Sequence, residues 1–153
     1  MKEYYINLFE YNYWANSRII LLLQKEKVRD EKILTLMGHT LAADITWLSR
    51  IKPLDGAYGL WRKYTIEELV EMQDFASKHW LDYIRSSNSL EESIQYKNTK
   101  GDVYVSRISN ILTHVVNHAT YHRGQIALLL RQNGFTPVDT DYIIYERTVT
   151  KQI

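Results

Sequence analysis

Apolar residues recur every three or four positions along four stretches of the chain, the spacing of one face of an α-helix. In the first stretch, residues 3 to about 25, the stripe is Tyr4, Leu8, Tyr11, Ala15, Ile19 and Leu22. The charged run QKEKVRD closes it, and Asp30 is placed to cap a second helix that reaches about Ile51. Ile33, Met37, Leu41, Leu48 and Ile51 form its stripe; Pro53 and the segment LDGAYG stop it. Thr65 followed by Glu68 is a capping-box pattern that opens a third helix through Ile84, with Leu69, Met72, Ala76, Trp80 and Tyr83 as its spine. Between Ser93 and Val105 the period changes to two, around Lys100-Gly101, which predicts a short exposed hairpin. Ser106 is then expected to cap a fourth helix ending at Asn133-Gly134, with Thr136-Pro137 beyond it. The tail from Val138 to Ile153 carries Tyr142, Ile143, Ile144 and Tyr145 and is expected to pack on the helices.

These elements predict an all-α fold: an up-down four-helix bundle forming a single domain over 1–153. It has a β-hairpin-like insertion in 86–105, between helices 3 and 4, and a packed C-terminal tail. Composition narrows the function. Nineteen Lys+Arg against eighteen Asp+Glu give a formal charge of +1, without the basic excess of a nucleic-acid binder. With no Cys, disulfides, thiolate nucleophiles and Cys-ligated metal sites are excluded. The aliphatic runs Ile19 to Leu23 and Ile126 to Leu130 are too short to span a bilayer, and the first residues lack a signal-peptide pattern. A cytoplasmic protein without membrane or nucleic-acid partners is the expectation, and the abundance of Trp and Tyr suggests self-association.

The strongest chemical signal lies in THVVNHATYHRGQ on the fourth helix. At about 100° per residue, His118 and His122 fall on the same arc as Ile111, Val115, Ile126 and Leu129. Two imidazoles one turn apart on a core face each cost a few kcal/mol unless something binds them, and together they can reach one ion. A third ligand is needed. His39 on the second helix is the leading candidate, although it lies roughly 140° from the Ile33–Met37 direction. His79 reads as a solvated residue. Ala119 stands where an HExxH peptidase needs its Glu, and no Glu-x-x-His pair supports a di-iron site. Three neutral nitrogens fit a mononuclear divalent ion with a position left for water.

HVVNHATYHRGQIALLLRQNG (His114 to Gly134) resembles the last helix of the DinB-like, damage-inducible proteins, grouped with YfiT-type metal-dependent hydrolases. LFEYNYWANSRIILLL, LMGHTLAADITWL and DYIIYE resemble that family's first helix, second-helix block and tail, in the right order. The resemblance implies a three-histidine site for zinc or nickel at His39, His118 and His122, and a homodimer. It also implies a metal-dependent hydrolase or a thiol S-transferase using bacillithiol, mycothiol or glutathione. Because no general base is evident, a non-enzymatic ligand-binding or stress-response module stays open. Asp44 and His114 are the remaining candidates for proton transfer. Asp44, inside a buried stripe, is expected to pair with Arg18 or a histidine; His114 is expected to pack beside the ligands. Gln125 is placed to hydrogen-bond a ligand imidazole, and Trp14 and Asn16 are candidates for the cavity mouth. Arg123 is expected at the surface, and Gly124 where another helix comes close.

Overall fold

A computed structural model describes residues 1–54 and 58–150. Part of the LDGAYG turn signal and the last residues of the tail lie outside these. The helices are α1 (Lys2–Lys25), α2 (Glu31–Ile51), α3 (Ile66–Ser86), α4 (Ile108–Gln132) and α5 (Tyr142–Thr150), with strands β1 (Ser93–Lys97) and β2 (Val103–Arg107) between α3 and α4. The expected bundle, hairpin insertion and packed tail are therefore what the chain forms. α1 packs on α3 and α4, and so does α2, which leaves α1 and α2 across a diagonal. Tyr13 meets Asp74 and Glu10 meets Arg85, so α1 and α3 are antiparallel. Tyr5 meets Thr113 and Asn16 meets Arg123, so α1 and α4 run parallel. The four long helices therefore run up, down, down, up, and the alternating up-down order expected from the sequence is corrected in this respect: α3 starts at the end of the bundle where α2 starts, as Tyr64 beside Gly38 shows.

Local chemistry sets most boundaries. Asp30 accepts the Ile33 N–H at 2.9 Å, and Thr65 and Glu68 form the reciprocal capping box at the start of α3. Gly134, at φ +82°, ends α4 in the left-handed conformation that glycine adopts without strain. The hairpin pairs Ser93 with Arg107 through Lys97 with Val103, its turn closed by Asn98 and Gly101.

Two further sequence expectations are corrected. Ser106 does not cap α4; it is paired inside β2, and its hydroxyl faces that of Tyr96. The strand runs directly into the helix, and the N–H groups of Ile108 and Ser109 donate to the carbonyls of Glu92 and Leu90 instead. The buried face of α1 is also rotated from the expected stripe. Tyr4 is 61% exposed, whereas Tyr5, Phe9, Asn12, Asn16, Ile20 and Leu23 are buried. Phe9 turns to Trp80 of α3 while Tyr11 turns to Tyr145 of α5, which covers the flank that solvent would otherwise reach.

Candidate metal centre

α2 and α4 lie side by side and antiparallel, which sets His39 opposite His118 and His122. One nitrogen from each of the three rings lies within 4.8 Å of the other two. The ring centroids of His39 are 5.2 Å from His118 and 4.8 Å from His122. The connection 58–65 explains why His39 is buried despite its angle to the helix's apolar stripe. Tyr64 lies so close to α2 that a Cβ at Gly38 would run into its ring, and only glycine leaves that room. Laid down in this way, the segment presents the Leu60 carbonyl to His39 Nδ1 at 2.8 Å and stacks the Trp61 indole on the imidazole at 3.6 Å.

The hydrogen bonds orient the nitrogens. A carbonyl only accepts, so His39 carries its proton on Nδ1 and turns an Nε2 lone pair inward. His122 Nδ1 donates to Gln125 Oε1 at 2.7 Å, the partner expected from sequence, and leaves its Nε2 in the same state. That Nε2 lies 3.1 Å from His118 Nε2. Two lone pairs at this distance need a proton or a cation between them. Bonds of ~2.0–2.1 Å to a tetrahedral ion would hold two nitrogens roughly 3.3 Å apart; His118 and His122 already stand close to that spacing, and the triad as a whole closes in from at most 4.8 Å. Burial lowers the His39 pKa, with the His122 ring adding to the effect. Burial first, and then the neighbouring imidazoles, bring His118 down to about 4. Neutral imidazoles with free lone pairs are the form a metal requires, so the residues fit the group.

The other sequence candidates lie elsewhere. His114 is outside the triad, its ring edge-on to Trp47 at 5.0 Å and its pKa lowered by burial and by Arg50. His79 is half-buried against Phe75 and joins nothing at the site. Asp44 pairs with neither Arg18 nor a histidine; its Oδ2 accepts from Asn12 Nδ2 at 3.3 Å near the bundle axis, while Arg18 lies over Trp14. Burial raises the Asp44 pKa to about 8, against the opposing pull of Arg123.

Arg123 overturns its expected exposure. It is 2% exposed, with Nη1 donating to Asn12 at 2.6 Å and Asn16 at 2.9 Å, and Nη2 donating to Tyr11 at 3.2 Å and Thr120 at 2.8 Å. Asn16 is therefore an interior partner and not a cavity-mouth residue, and Trp14 packs on Tyr145. Among the described residues no helix approaches Gly124, where a Cβ would meet open space. A cavity of about 330 Å³ lies against His39, between α2 and the hairpin. Periodicity did not mark this cavity; its one advance sign was the hairpin signal, which carried no information on where the hairpin folds.

The family model described as DinB family matches residues 1–152. The chain is 31% identical to Protein DinB of Bacillus subtilis (strain 168), in an alignment of 163 positions that covers 95% of each.

Proposed function

The chain belongs to the DinB family, and from that premise we propose that it is a metal-dependent hydrolase with a divalent ion, zinc or nickel, held by His39, His118 and His122. The observation that carries the reading is the convergence of three imidazole nitrogens within 4.8 Å beside a cavity. Such an ion, when bound, polarises a substrate oxygen and makes a water acidic enough to attack near neutral pH. The chain's own part is orientation and shelter. The Leu60 carbonyl and Gln125 fix two of the rings, as partners on the far nitrogen of a ligating histidine do. Trp61 covers one face of His39. His114, held neutral, offers a nitrogen able to take a proton next to the ligand pair.

Elemental analysis of tag-free protein is the test, followed by a screen of ester, amide and phosphoester substrates on the loaded protein. One ion per chain, with turnover abolished in His122→Ala, is the expected outcome. Metal far below one per chain, unaltered in His118→Ala, contradicts the reading. A second reading, thiol S-transfer, is favoured by one feature: among the described residues no carboxylate joins the three histidines to act as base. Thiol transfer needs a metal position for a thiolate and no such carboxylate. Turnover that requires an added low-molecular-weight thiol selects it over hydrolysis.

A further inference from the structure

The cavity against His39 is lined on one side by α2, through Ala43, Thr46, Trp47 and Arg50, and on the other by the hairpin, through Tyr96 and Tyr104 among others. At about 330 Å³ it is near the lower end of small-molecule sites, which run from ~300 to 1,000 Å³, so it suits a compact metabolite and not a peptide. The Arg50 guanidinium lies over the Trp47 ring at 4.1 Å and over Tyr96 at 5.1 Å, and these two rings meet edge-on. The planar cation is thus held in place by stacking, with the stem half-buried. Among the described residues the ion pairs are Arg62–Glu68, Arg85–Glu10 and Arg107–Glu91, and Arg50 belongs to none of them. Among the described residues no carboxylate lines the cavity. His114 shares Trp47 with Arg50, and burial and Arg50 together lower its pKa.

A fixed, half-desolvated guanidinium with no protein carboxylate, standing between aromatic rings, is complementary to an anion on a flat or apolar body. His39 lines the same cavity and is the one member of the histidine triad to do so, which joins the anion site to the metal centre. We propose that this cavity is the substrate site of the metal centre, that its substrate class is small organic anions with a planar or apolar body, and that Arg50 binds the anionic group while Trp47, Tyr96 and Tyr104 contact the body. The hairpin insertion thereby gains a purpose, because it closes the cavity wall and carries two of the three aromatic contacts. This inference rests on the proposed function for the word substrate, but the anion site itself stands or falls separately.

The test is equilibrium binding followed by tryptophan fluorescence, Trp47 being the reporter in the wall, on both chelator-treated and zinc-loaded full-length protein. The probes are phenylacetate, phenyl phosphate and the uncharged phenylacetamide. The variants are Arg50→Ala, Arg50→Gln, which keeps much of the stem, and His118→Ala, with melting curves to confirm folding. Both anions are expected to bind metal-free wild type about tenfold or more tightly than the amide, and Arg50→Gln to remove that preference, the scale of one lost charge-assisted hydrogen bond. Preference for phenylacetate assigns the carboxylate as the anionic group, and preference for phenyl phosphate assigns the phosphate. Equal binding of anions and amide, no binding of either anion, or an unchanged preference in folded Arg50→Gln overturns the proposal. Anion binding that survives in His118→Ala while metal is lost supports the anion site, and it separates that result from any failure of the metal reading. Binding that appears only in the zinc-loaded protein, and is indifferent to Arg50, overturns it.

Discussion

His122 and Arg123 are adjacent in sequence, both buried, and point about 100° apart from α4, toward different neighbours. His122 turns to α2 and meets two other imidazoles, whereas Arg123 turns to α1 and meets two asparagines, a tyrosine and a threonine. The difference lies in the balance of donors and acceptors. Around Arg123 the guanidinium donates and oxygens accept, so the cluster satisfies most of its own needs, and Asn12 links it to Asp44. Around His122 the rings oriented by Leu60 and Gln125 aim lone pairs at one another, so the cluster is complete only with a cation or proton at its centre. A buried cluster in which donors meet acceptors holds the fold together; one in which acceptor lone pairs converge is built for a ligand.

The largest expected effect is on the closed cluster. Arg123→Ala removes four hydrogen bonds and strands the acceptors of Asn12 and Asn16, so a loss of about 3–5 kcal/mol is expected, a melting decrease on the order of 10 °C. A loss below about 1 kcal/mol would mean that the network does not support the fold. The open cluster should respond in the opposite sense. Zinc at a hundred times its dissociation constant should stabilise wild type by about 2.7 kcal/mol and His118→Ala not at all. In metal-free buffer His118→Ala should cost about 1 kcal/mol, the scale of the single half-buried hydrogen bond that His118 Nε2 donates to His122 Nε2. Since His118 is held at a pKa of about 4, protons should compete with zinc for it only in the acid range. Gln125→Leu, which frees His122 to rotate, should weaken zinc binding about 10–100-fold in a competition titration while leaving metal-free stability close to wild type. Unaltered affinity would show that the Gln125 contact does not orient the ring.

The smallest expected effect distinguishes the clusters by pH. The Asp44 carboxyl is raised in the fold from 3.8 to about 8, so the folded chain holds a proton that the unfolded chain loses above its own lower pKa. Stability therefore falls with rising pH between about 4 and 8 and is level above that. From pH 7 to 9, where unfolded histidines are already neutral, the unfolding free energy of wild type from urea titrations should fall by roughly 1 kcal/mol. Asp44→Asn should show no such slope. A slope shared by both proteins would place its origin outside Asp44.

The parts of this molecule legible in the sequence are those governed by neighbours along the chain. Asp30, the Thr65–Glu68 pair and Asn133-Gly134 mark helix ends through contacts within a few residues, and Gly101 marks the hairpin turn. His118 and His122 were legible for the same reason, since one turn of helix fixes their relation. His39 was not placed by its own helix. Its burial depends on the 58–65 segment folding over Gly38, a contact invisible to periodicity within α2. The burial of Arg123 was not legible because its partners Asn12 and Asn16 lie more than 100 residues away in sequence. The clue was present on the other side: Asn12 and Asn16 one turn apart, and Asp44 inside an apolar stripe, are polar groups with no local partner. Their own helices could not show that one arginine answers both asparagines, with Asn12 in turn donating to Asp44.

Anomalous scattering at the zinc and nickel edges, from crystals of tag-free protein, tests the central claim most directly. The account predicts one peak per chain, about 2.0–2.1 Å from the Nε2 atoms of His39, His118 and His122. A peak elsewhere, or none in crystals grown with excess zinc while the three rings keep their present positions, would contradict it.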